Sequence, residues 1–154
     1  MTTAMDKALK LLARKARTQA EVERALAKFP AGERDAAVAR LKELGYMDDR
    51  EVGLSRARTL LGRGEAPRLA VQRLAAQGVE SQLARAAVAE AAGGAADDEL
   101  VARALRLRLR GRQPRDEGER RRLFRSLVAK GHRASAVARA LKLPEGGDDA
   151  IEDD

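Results

Sequence analysis

Apolar residues recur along this chain at helical spacing in nine separate stretches. Met5, Ala8, Leu9, Leu12 and Ala16 lie three or four residues apart and line one face of a first helix. Thr18-Gln19-Ala20-Glu21 then reads as a capping box. The Thr18 hydroxyl accepts from the backbone of Glu21, and the Glu21 carboxylate reaches back to that of Thr18. The helix so opened carries Val22, Ala25 and Leu26 and stops at Phe29-Pro30. A third helix is predicted from about Glu33 to Leu44, with Ala37, Val38, Leu41 and Leu44 inward. Gly45 supplies the left-handed residue that ends it, and Tyr46 folds back onto its last turn.

The pattern then restarts twice. Asp48 caps a helix running to about Arg63, with Glu51 completing a second capping-box pair. Gly64 breaks that helix, and Pro67 opens the next at a position where its missing N–H costs nothing. This helix carries Ala70, Val71 and Leu74 and ends at Gly78-Val79; Ser81 caps another that ends at Gly93-Gly94. In the third round, Asp97 or Asp98 caps a helix through Arg110, ended by Gly111. Pro114 and Asp116 introduce one through Lys130, and a short helix from Ala136 to Leu143 closes at Pro144. Leu26 to Pro30, Leu74 to Gly78 and Leu127 to Gly131 repeat one spacing, a Leu with a helix breaker four residues on, about every 50 residues. The predicted fold is all-α: three tandem three-helix repeats in an elongated, curved arrangement, over 4–47, 48–94 and 95–143. Residues 144–154 are expected to form an acidic, disordered tail.

Composition supports helices and narrows the chemistry. Aromatics are 2% of the chain, so the core is built from Leu, Ala and Val. There is no Cys, which removes disulfides, thiolate zinc sites and cysteine nucleophiles. No run of apolar residues is long enough to span a bilayer and no signal-peptide pattern opens the chain, so the expected compartment is the cytoplasm. His132 is the only His; beside a helix-ending Gly it reads as a packing or capping residue. Asp48-Asp49 reads as a helix cap ahead of a metal pair. The serines have no elbow motif, and the Gly pairs lack a following Lys-Ser/Thr. The expectation is a non-enzymatic protein with no catalytic residues, metal, cofactor or small-molecule substrate.

Charge changes the picture more. The net charge is +7, but Glu145 to Asp154 hold six acids and no base, which leaves the preceding body at +13. A helical body that basic suits a polyanionic partner, against the plainer reading of solubility. From Arg103 to Arg133 there are twelve bases and three acids. Arg103, Arg106 and Arg110 share one helix face, with Leu100, Ala104, Leu105, Leu107 and Leu109 largely opposite; Arg108 falls among the apolar positions and must snorkel. Arg121, Arg122 and Arg125 face away from Leu123, Phe124 and Leu127. With Arg112, these form a candidate surface for phosphates or carboxylates, which guanidinium binds in bidentate fashion; the plainer reading is a solvated face. Phe29, Tyr46 and Phe124 all fall at positions expected to be buried, so direct contact with single-stranded nucleic acid would be through phosphates.

The residues also carry a family resemblance. Ala8 to Val22, then Leu41-Lys-Glu-Leu-Gly-Tyr-Met-Asp-Asp49, resemble the first repeat of RecX, and Gly45-Tyr46-x-Asp48-Asp49 is the most specific part. Gly64, Pro67, Arg68, Leu74 and Gly78-Val79 are similar to the second repeat. Leu127-x-x-x-Gly131 and Val137-x-x-Ala140-Leu141 are similar to the third. Val52-Gly53 stands where the family usually places Phe-Ala, and His132 where it usually places Phe. The resemblance covers about residues 5–143. It implies a three-repeat helical fold and a regulator that lies in the groove of the RecA filament on single-stranded DNA. Such a regulator inhibits ATPase and strand exchange and promotes filament loss. The alternative is a free-standing DNA-binding protein of helix-turn-helix-like units.

Overall fold

The computed structural model describes residues 1–144, and these hold nine α-helices and no strand. They are α1 (Ala4–Arg14), α2 (Gln19–Ala25), α3 (Ala31–Glu43), α4 (Asp49–Gly62), α5 (Pro67–Ala76), α6 (Ser81–Ala92), α7 (Asp97–Leu109), α8 (Glu117–Ala129) and α9 (Ala134–Leu141). The acidic C-terminal segment, expected to be disordered, lies outside the described residues.

The helices pack in threes. Val22, Leu26, Val38, Leu41 and Met47 centre one apolar cluster on α1–α3. Ala57, Ala70, Leu74, Val79 and Val88 centre a second on α4–α6. Val101, Leu105, Leu123, Phe124, Leu127 and Val137 centre a third on α7–α9. Leu26, Leu41, Leu74 and Leu127 are fully buried. Each such side chain stabilises the fold by roughly 1.5–3 kcal/mol through removal from water.

Most helix ends form as their residues predict. Thr18 and Glu21 complete their capping box, and Asp116 caps α8 through the N–H of Glu119. The breakers at Gly45, Gly64, Gly78 and Gly131 each close a doubled turn, in which the following N–H reaches back to the carbonyl of Leu41, Leu60, Leu74 and Leu127. Five expectations are corrected. Asp48 caps α4 alone through the N–H groups of Arg50 and Glu51, and Glu51 does not return the bond. Glu80, not Ser81, caps α6, because its longer side chain reaches both Gln82 and Leu83 N–H. Ala96 precedes α7 with no side-chain cap; Asp97 and Asp98 instead pair with Arg133 at 3.3 Å and Arg139 at 2.9 Å, tying the first turn of α7 to α9. Helix α2 ends at Ala25, and the chain reaches Phe29 through a turn. Finally, Leu44 and Tyr46 are exposed. The backbone of Tyr46 folds back as predicted, but Met47 supplies the buried side chain of that loop.

Successive threes are joined by a recurring device. The turn that ends the middle helix of one three sits on the start of the middle helix of the three before it. At the first joint, Gly78 lies on Ala20, and the Thr18 hydroxyl donates to the Gln77 carbonyl at 2.7 Å. At the second, Gly131 lies on Leu69 and Ala66, and the Ala66 N–H donates to the Lys130 carbonyl at 2.9 Å.

Side chains lock each joint. Arg56 spans the first: it donates to Glu21 at 2.7 and 3.0 Å, to the Gln77 side chain at 2.9 Å and to the Ala16 carbonyl at 3.1 Å. Asp49 accepts from the Gln19 N–H at 2.9 Å. At the second joint His132 is buried with Nε2 2.7 Å from the Gly64 carbonyl, and the Lys130 ammonium donates to the Arg63 carbonyl at 3.0 Å.

Candidate partner-binding surface

The candidate arginines divide by what holds them. In α7, Leu100, Val101, Ala104, Leu105 and Leu109 are buried, which turns Arg103 and Arg106 outward. Arg103 pairs with Glu99 one turn earlier, at 2.7 Å and exposed, so that pair is weak in water. Among the described residues Arg106 has no ion-pair partner. Arg110 is exposed and left-handed at φ 51°, just past the helix, so it leaves the line that an unbroken helix would give it with Arg103 and Arg106. Leu107 is exposed, contrary to the expectation that it joined the apolar side; it falls on the outer flank of the helix, beside Arg103 and Arg106. Arg108 does reach across an edge, to the Ser126 hydroxyl of α8.

In α8, burial of Leu123, Phe124 and Leu127 leaves Arg122 and Arg125 exposed on the opposite side, with Arg121 half-buried beside them. Arg121 pairs with Glu117 at 3.0 Å.

Arg112 differs from the rest. Both its terminal nitrogens donate to the two oxygens of Glu119 at 2.8 Å. Glu119 also accepts from the Arg115 N–H at 2.8 Å. The Arg112 bonds first, then the Arg115 N–H, hold the Glu119 carboxyl down at about 2 from an ordinary 4.5, against the opposing effect of burial. Arg112 thus builds the entry to α8, and its fork is already filled.

The Gly45-Tyr46-Asp48-Asp49 motif is mainly structural. Gly45 closes α3, Asp48 caps α4 and Asp49 ties α4 to the start of α2. Tyr46 is the exception, an exposed ring on the first three helices that contradicts the expectation of a wholly buried aromatic set. Sequence reasoning also missed Arg58. This exposed residue of α4 faces Arg103 and Arg106 across the second joint, and periodicity within one helix carries no signal for a neighbour from another repeat.

The described residues contain no group of three or more His, Cys, Asp or Glu placed to hold a metal ion. None of their helices is long and apolar enough to cross a membrane.

Residues 4–41, covering α1, α2 and most of α3, match the family model of the first three-helix domain of RecX. The fold extends the likeness: the crystal structure of RecX from Lactobacillus salivarius superposes with a TM-score of 0.69 over 90% of this chain and 92% of that one, at 20% identity. The chain is thus similar to RecX in the sequence of its first three helices and in fold over most of its length. No curated protein matches it by sequence. The domain match rests on sequence in the first three helices, and the superposition extends the likeness in fold over 90% of the chain.

Proposed function

We propose that this chain regulates the RecA recombinase, mainly as an inhibitor. It lies in the groove of the RecA filament on single-stranded DNA, blocks ATP hydrolysis and strand exchange, and promotes filament disassembly. The observation that carries this reading is the RecX first-domain match at residues 4–41, in a chain whose described body has the RecX fold.

The geometry supports a filament ligand in two ways. Both joints are pinned by side chains and by close backbone packing, so the three repeats present one preorganised surface with little ordering cost on binding. The cations of α7 and α8 supply a phosphate- or carboxylate-binding face on the last repeat. Arg106, Arg110 and Arg122 are the residues proposed to meet the filament or its DNA phosphates, with Arg103, Arg108, Arg121 and Arg125 beside them already sharing neighbours on this chain. Arg112 is left out of the contact set because Glu119 occupies it.

A free-standing helix-turn-helix reading finds less support. In such units the start of the middle helix approaches the DNA backbone. Here the starts of α2 and α5 are covered by Gly78 and Gly131 of the following repeat.

The test is RecA-dependent ATP hydrolysis on single-stranded DNA with this protein titrated in. The expected result is inhibition at substoichiometric ratios to RecA. Hydrolysis unchanged at molar excess would remove the proposal.

A further inference from the structure

A groove of about 500 Å³ crosses the second joint, between α4 and α7. Arg58, Arg103 and Arg106 stand around it, and Leu61, Leu100 and Leu107 supply its apolar surface. Among the described residues neither Arg58 nor Arg106 has an ion-pair partner. The one carboxylate in the lining, Glu65, is engaged by Arg73. Leu107 is 52% exposed, one of few large apolar side chains left in water on the described surface. The groove therefore joins uncompensated positive charge to exposed apolar area.

That pairing selects among anions. A sugar–phosphate chain would meet the guanidinium groups but leave Leu61 and Leu107 in water, and no aromatic ring lines the groove to stack a base. A polypeptide segment with carboxylates around an apolar side chain uses both features: bidentate pairing with Arg58 and Arg106, and burial against the leucines. The α8 face contrasts with it. Arg122 and Arg125 are exposed there with no exposed large apolar side chain beside them.

We propose that the α4–α7 groove binds an acidic protein segment bearing an apolar side chain, while the α8 face takes phosphates. The inference deepens the RecA reading and rests on it for the source of the segment, which would be the protein wall of the filament groove. It places the protein contact at the joint of the second and third repeats and the nucleic-acid contact on the third.

The full-length chain, isotope-labelled, is titrated separately at low salt with a short peptide alternating Glu and Leu and with oligo-deoxythymidine, and backbone amide shifts are followed. The peptide is expected to move amides around Arg58 to Leu61 and Leu100 to Leu107, and the oligonucleotide those of α8. Leu107→Ser and Arg58→Ala should each weaken the peptide by about tenfold and leave oligonucleotide affinity within about twofold. The proposal is overturned if the peptide leaves the groove amides unmoved, if it moves α8 equally, or if the oligonucleotide fills the groove. Groove amides that already differ between the full chain and one ending at Pro144 would assign the groove to this chain's own acidic C-terminus, which also overturns it. Neither probe contains RecA, so these outcomes stay readable whether or not the chain inhibits RecA.

Discussion

Gly78 and Ala20 are 58 residues apart and touch so closely that a Cβ placed on Gly78 would lie 2.2 Å from the Cβ of Ala20. Gly78 also has a φ of +97°, in the left-handed region. Gly45 has φ +75° but open space around its missing side chain. Gly78→Ala therefore meets two penalties and Gly45→Ala one. The left-handed backbone alone costs on the order of 1–2 kcal/mol in each. The clash at Gly78 adds to that by forcing the first joint open. Thermal unfolding is expected to show a clearly larger loss for Gly78→Ala; equal losses would mean that the joint yields freely.

The opposite side of that joint depends on Arg56. Its guanidinium serves Glu21, the Gln77 side chain and the Ala16 carbonyl, and the Arg56 and Glu21 side chains are each only 20% exposed. Burial pushes the Glu21 carboxyl up, but the Arg56 bond, the Thr18 N–H and the positive charge nearby together leave it lowered. Arg56→Ala strands these acceptors and is expected to destabilise by about 1–3 kcal/mol. A double-mutant cycle with Glu21→Ala should return a coupling of roughly 0.5–3 kcal/mol. Additive single losses would show that Arg56 acts by packing alone.

His132 holds the second joint from the turn that ends α8. The ring is buried, and because the Gly64 carbonyl can only accept, Nε2 is the donor in their 2.7 Å contact. His132→Phe keeps an aromatic ring but leaves the carbonyl unpaired. A loss of about 1–3 kcal/mol is expected in denaturant unfolding. A variant as stable as the parent would make the bond dispensable.

Much of this architecture was legible in the chain because it is local. The capping box at Thr18, the stops at Gly45 and Gly78 and the inward Leu74 and Leu127 each follow from residues within a turn or two. The misreadings have a common cause. Asp97 and Asp98 look like caps until Arg133 and Arg139 arrive from another helix. Leu107 counts as apolar in any periodicity, yet its flank of α7 faces a groove. Arg112 reads as one more surface cation, although Glu119 fills its fork. Arg58 gives no signal at all, since only the joint brings it to α7. Relations between repeats are set by packing over long sequence separations, and a pattern of apolar spacing does not encode them.

Glu119 also sets an acid limit on the third repeat. Its carboxyl titrates at about 2 in the fold against an ordinary 4.5. A depressed folded-state pKa stabilises above the unfolded value and loses that contribution as pH falls toward the folded one. Stability is thus expected to decline between about pH 4.5 and pH 2 in part through this group. Glu119→Gln should be less stable at neutral pH and show a shallower decline across that window. An identical pH profile in the variant would show that Arg112 and Arg115 do not hold the carboxylate.

The sorting of the arginines into engaged and available sets predicts how binding responds to salt. A cation that meets a phosphate releases a counterion from the nucleic acid, so its removal flattens the dependence of affinity on salt by roughly 0.7 in log–log slope for a single strand. Arg122 is exposed on the α8 face with no ion-pair partner among the described residues, so Arg122→Ala should flatten the slope for single-stranded DNA and leave the melting temperature nearly unchanged. Arg112 has both terminal nitrogens on Glu119, so Arg112→Ala should lower the melting temperature and leave the slope in place. The two readouts oppose each other for the two residues. If Arg112→Ala flattens the slope while Arg122→Ala does not, the Arg112 fork must open to bind phosphate, and the α8 face proposed here is not the one that meets DNA.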